Sequence, residues 1–164
     1  RLIMSASLIY DVVPLGSVVK YYDDTPRPPD RFTKKLAAWK QRNGRGRLVQ
    51  KQPGRVMATY TSQPSFTLHE GDFGQGGVIL ITIRRTYGID TDLRFRVTER
   101  PKAGQARVVQ SIGDGTEMLH LAESREAAEA WLASKTGYSR ARIEEITEKE
   151  AGILIGQCAL PDVS

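Results

Sequence analysis

Leu93-Arg94-Phe95-Arg96-Val97-Thr98-Glu99 alternates apolar and polar side chains. Successive side chains of a β-strand point to opposite faces, so this pattern predicts a strand with one face buried and one in water. Other short segments read the same way. Residues 17–22 (Ser-Val-Val-Lys-Tyr-Tyr), 48–51, 55–62, 65–70, 106–112 and 117–121 are further strand candidates. Residues 78–86 (Val-Ile-Leu-Ile-Thr-Ile-Arg-Arg-Thr) form the strongest one, and their apolar run predicts a central strand covered on both faces. Residues 7–13 alternate weakly and are rich in β-branched side chains, and they predict a strand pairing with 17–22 across Pro14-Leu15-Gly16. Gly113-Asp114-Gly115-Thr116 is a hairpin turn, and the glycine-rich residues 71–77 are a flexible connection.

Helical signals occur at two places. From about Asp30 to Asn43, Phe32, Leu36 and Trp39 fall at i, i+4 and i+7 and define one apolar stripe, expected to face the core. Asp30 is placed to cap this helix or sit in its first turn, and Asn43-Gly44 to stop it. Ser124 caps a second helix over 125–135, with Ala128, Trp131 and Leu132 inward. Residues 140–146 read as a short strand anchored by Ile143 and Ile146, with a helix as the alternative. Thr147-Glu148-Lys149-Glu150 is a capping-box pattern that opens a last helix over 148–155.

This order predicts an α+β fold. The expected architecture is an antiparallel β-rich sheet or partly open barrel, with one basic amphipathic helix near the N-terminus and one or two C-terminal helices. At 164 residues the expectation is one domain, over 4–160. Met4 followed by Ser-Ala-Ser has the look of a natural start, with residues 1–3 left over, and residues 161–164 are expected to fray. No apolar run approaches the ~20 residues that span a bilayer. Cys158 is the one cysteine, so a cytoplasmic location is expected.

Charge is distributed unevenly. Ten cations lie between Arg27 and Arg55 against the single acid Asp30, a net +9 in a chain of +5 overall. Residues 113–164 are net −5. The basic block favours an anionic partner, nucleic acid being the commonest. The contacts expected are Lys34, Lys35, Lys40 and Arg42 on the helix, with Arg45 and Arg47 on an Arg-Gly-Arg loop. The glycines there would let the backbone approach a phosphate. Arg84, Arg85, Arg94 and Arg96 extend the patch if their strands share a face, and Tyr21, Tyr22 and Tyr60 are candidates for stacking on bases. DNA and RNA are not distinguished, and a protein-interaction module is the alternative partner-binding role.

Catalytic signals are thinner. His69-Glu70-Gly71-Asp72, with His120 and Glu123, has the residue types of a two-histidine, one-carboxylate metal site or of acid–base chemistry. Either use requires His69 and His120 to meet in space. Residues 71–77 lack the Gly-Lys-Ser/Thr ending of a phosphate-binding loop and precede a strand. No dinucleotide fingerprint is present, so no cofactor is implied.

Overall fold

Strand β2 (Gly44–Gln52) is the strand on which the sheet is built, pairing with β1 (Val18–Tyr22), β5 (Ser65–Gln75) and β9 (Gly115–Ala122). A strand has only two edges. β5 takes one of them opposite Arg47–Gln52, so β1 and β9 divide the other, at residues 44–47 and 50–51. The computed structural model that gives this topology describes residues 3–75, 78–135 and 137–151. β7 (Arg94–Glu99) extends the sheet beyond β1, and β6 (Val78–Gly88) pairs with β5. β8 (Ala106–Ile112) and β10 (Arg142–Glu145) lie beyond β9. The result is the expected α+β fold: among the described residues, eight antiparallel strands form a sheet that does not close, with four helices, α1 (Ala6–Val12), α2 (Thr33–Arg42), α3 (Arg125–Ala133) and α4 (Glu148–Ala151). β3 (Arg55–Val56) and β4 (Thr61–Ser62) form a separate small hairpin in place of the single strand expected over 55–62.

One face of β1, β2, β5 and β7 carries the main core. Val19, Tyr21, Leu48, Phe66, Leu68 and Phe95 are fully buried there, beneath Met4, Ala6 and Ile9 of the N-terminal segment. Phe66 and Phe95 meet edge to face, with ring centroids 5.4 Å apart. Each such side chain stabilises the fold by about 1.5–3 kcal/mol relative to exposure. A second cluster joins β8, β9 and β10 to α3 through Ala106, Val108, Ala122 and Ala128, flanked by Trp131 and Leu132. As expected, Ser124 caps α3, its hydroxyl accepting from the Ala127 amide at 3.1 Å.

Several expectations are corrected. Residues 6–12 are helix, not strand, and do not pair with β1. The Ser5 hydroxyl caps them, accepting from the Leu8 amide, and Ala6 and Ile9 share the buried side. A cap worth about 1 kcal/mol and burial of one helical face outweigh the modest helix penalty of β-branched residues. β6 is not central: among the described residues it pairs only with β5. The glycine-rich 71–75 is strand, continuing β5 through bulges after His69 and Phe73, while residues 76 and 77 lie outside the described residues. α2 begins at Thr33 without a side-chain cap, and Asp30 instead pairs with Arg27 at 2.8 Å. α2 buries no residue: Phe32 is exposed and Leu36 and Trp39 are half-buried, so the apolar stripe is not core. The last helix is seen over Glu148–Ala151; residues 152–164, Cys158 among them, lie outside the described residues.

Two observations on the buried side have measurable consequences. Tyr21 stands opposite Gly44, and a Cβ on Gly44 would lie 2.6 Å from the Tyr21 hydroxyl oxygen. That hydroxyl donates to Glu70. Gly44→Ala should therefore destabilise the domain by about 1–3 kcal/mol, as overpacked sites do. In a Tyr21→Phe background the same change should cost less, a coupling of at least about 0.5 kcal/mol in denaturant titrations, and strict additivity would contradict the contact. Separately, burial pushes the Lys51 ammonium down to about 8, with repulsion from Arg107 adding to it. Below pH 8 both folded and unfolded states bind this proton; between pH 8 and the unfolded value near 10.4 the unfolded state binds more, so this residue makes stability rise with pH. Lys51→Met should raise Tm at pH 7 and flatten the rise between pH 8 and 9.5. An unchanged pH profile would contradict this.

Candidate nucleic-acid interface

Alternation along three neighbouring strands sorts the side chains. Val19 and Tyr21 are buried, so Lys20 and Tyr22 leave the opposite face of β1. Gly46 and Leu48 face inward on β2, so Arg45 and Arg47 face outward. Phe95 is buried on β7, and Arg94 and Arg96 face outward. Register then places Lys20 directly opposite Arg45 on one side and Arg96 on the other. Three cations thus form a row across three strands, an arrangement that is destabilising by itself. Lys20 and Arg45 are exposed, and none of the three makes an ion pair among the described residues.

This row floors a cleft of about 800 Å³. Tyr22 and Trp39 line it with Asn43 and Thr98. The Arg96 guanidinium carbon lies 5.7 Å from the Tyr22 ring centroid, a cation–π contact. The Arg96 Nε and the Tyr22 hydroxyl are buried without a hydrogen-bond partner. The Trp39 indole donates to the Thr25 carbonyl at 3.0 Å, which fixes the ring beside the cleft. Asp24 is the acid of the lining, and it is neutralised by Arg94 at 2.7 Å.

A clamp holds α2 beside this cleft. Arg42 donates to Asp23 at 3.1 Å and, through Nη2, to both oxygens of Asp92 at 3.0 and 3.1 Å. These bonds, to Asp92 first, raise the affinity of the guanidinium for its proton. The Asp23 carboxyl is held well below the usual carboxylate range, chiefly by the Thr25 hydroxyl and then by the Asn43 amide.

The six residues singled out from sequence therefore separate. Arg45 lies in the cleft. Lys34, Lys35 and Lys40 are exposed on α2, with the Lys35 ammonium 5.1 Å from the Phe32 ring centroid. Arg42 belongs to the clamp. Arg47 is half-buried, donates to the Gly16 carbonyl and lies 3.8 Å from Glu99. The Arg-Gly-Arg segment is not a loop but the start of β2, and its glycines serve packing. A Cβ on Gly46 would lie 2.9 Å from the His69 carbonyl oxygen. Of the possible extensions, Arg94 and Arg96 share the outward face, whereas Arg85 lies 3.2 Å from Glu70 near Tyr21. Tyr21 is core and Tyr60 lies exposed between β3 and β4. Lys20 was missed, and its signal is local: one lysine between Val19 and Tyr21 in a strand whose neighbours are buried.

A second cleft, of about 510 Å³, brings His69 and His120 into one lining, together with Arg47, Arg84, Glu99 and Glu123. His120 is stacked on Trp131, centroids 4.7 Å apart and planes 2° from parallel. Burial, and then the charge of Lys135, lower its affinity for a proton. No group of three His, Cys, Asp or Glu among the described residues is arranged to hold a metal ion. No helix among them is long and apolar enough to cross a membrane.

No curated protein and no solved structure matches the chain. The family described as "Uncharacterised conserved protein UCP036055" matches residues 4–150. That span takes in the linings of both clefts, and the chain belongs to this family.

Proposed function

We propose that the outward face of β7, β1 and β2 binds single-stranded nucleic acid. The phosphates lie along Arg96, Lys20 and Arg45, and bases stack on Tyr22 and Trp39. The observation that carries this reading is the row of three cations in register, without carboxylate partners among the described residues. Like charges placed side by side on adjacent strands weaken a sheet. A polyanion laid over the row would relieve that repulsion. Two aromatic rings beside the cations supply the sequence-tolerant stacking that unpaired bases offer. The open cleft and the exposed lysines of α2 supply further electrostatic attraction at its edge.

Labelled single-stranded and duplex oligonucleotides of DNA and RNA, titrated across a salt series, test the reading. Three neutralised phosphates on a single strand predict a slope of log K against log salt of about −2. Lys20→Ala, Arg45→Ala and Arg96→Ala combined should abolish this binding. The same triple change should leave folding stability unchanged or raise it by about 0.2–1 kcal/mol for each neighbouring pair, because a repulsive row is removed. Reversing Lys34, Lys35 and Lys40 to Glu should weaken binding without abolishing it. Absence of salt-dependent binding, or dependence on the α2 lysines alone, would overturn the reading.

A further inference from the structure

The second cleft opens on the same sheet face, one step along β2. Arg45 and Arg47 flank Gly46, so their side chains leave the same side. Arg47 is in register with His69 on β5, and His69 with Arg84 on β6. A histidine therefore stands between two arginines. The row Arg47–His69–Arg84 continues the row Arg96–Lys20–Arg45 after a two-residue step. His120 of β9 lines this cleft as well, its ring orientation fixed by the parallel stack on Trp131. The cleft volume falls in the range of ligand sites, about 300–1,000 Å³.

Its lining differs in kind from the first cleft. It combines two guanidiniums, two imidazoles and the carboxylates Glu99 and Glu123. A patch that only held phosphate would gain nothing from the carboxylates. Two imidazoles among mixed charges suit proton transfer.

We propose that this cleft cleaves RNA strands led onto it by the neighbouring basic row, with His120 as general base and His69 as general acid. The inference rests on the nucleic-acid reading of that row. Neutral His120 takes the proton of a ribose 2′-hydroxyl, and the 2′-oxygen forms a bond to the adjacent phosphorus. The bond from phosphorus to the 5′-oxygen breaks, and His69, as the general acid, delivers a proton to that oxygen. The products are a 2′,3′-cyclic phosphate and a 5′-hydroxyl, and no co-reactant is consumed. Arg47 and Arg84 stabilise the charge that grows on the phosphoryl oxygens. Each guanidinium has five N–H donors, and the contacts with Gly16 and Glu117 occupy only part of them. DNA lacks the attacking hydroxyl and is bound without being cut.

The test uses the full chain, purified in parallel with its His69→Gln and His120→Gln variants, on single-stranded RNA in the presence of EDTA. Cleavage is expected from the wild type only, with cyclic-phosphate ends. A substrate with a 2′-deoxy sugar at the cut site should survive, and both variants should bind the oligonucleotide with unchanged affinity. His69→Gln decides the matter if loss of the Trp131 stack unfolds the other variant. RNA bound but left intact by the wild type would overturn the inference and leave the binding reading standing. Cutting that survives in the His69 variant would also overturn it. Failure of the wild type to bind would instead remove the binding reading, and the inference with it.

Discussion

The alternation of β2 is the constraint on which the rest of the structure depends. Its side chains must satisfy two faces at once. Inward, Gly44 and Gly46 leave room for Tyr21, Leu68 and the backbone of His69, and Leu48 enters the core. Outward, the residues between them are Arg45 and Arg47. Because β2 pairs with β1, β5 and β9, its register fixes the position of every neighbouring strand. A slip by one residue would drive the arginines into the core and expose Leu48. The tight Tyr21–Gly44 contact and the bond from Tyr21 to Glu70 oppose that slip.

The same constraint builds both clefts. Cations on β7, β1 and β2 are brought together only because the inward residues between them are buried. The sheet alone does not make a ligand site, since outward charges are ordinary on a half-solvated sheet. What distinguishes this face is that its cations are adjacent and in register, while acids elsewhere are taken up in local pairs. Glu117 holds Arg84, Glu144 and Glu150 hold Arg107, and Asp23 and Asp92 hold Arg42. The acidic C-terminal part of the chain therefore serves partly to neutralise arginines internally.

The parts legible in the sequence were those with strong local signals. β7 showed strict alternation, the β8–β9 turn supplied Gly113 at φ 58°, and α3 had its Ser124 cap and an apolar stripe that docks. What escaped was decided by tertiary context. The β-branched residues of α1 pointed to a strand until burial against Phe95 and its neighbours is counted. The apolar run of β6 suggested a centre, yet strand order places it beyond β5. The α2 stripe had the right spacing but no surface to cover it. The basic block was visible as composition, and it led to Arg45 but also to Arg42, whose role is structural. Lys20 and Arg96 each alternate with buried neighbours in their own strands, but only cross-strand register brings them side by side with Arg45.

In the proposed function one sheet face, and not the basic helix, receives the ligand. Amide and indole chemical-shift mapping during titration with a short single-stranded RNA locates the contact directly. The largest shifts are expected at Lys20, Tyr22, Arg45 and Arg96 and at the Trp39 indole, with the inward residues Val19 and Phe95 little changed. Shifts confined to Lys34, Lys35 and Lys40, or none at a ligand excess at low salt, would contradict it.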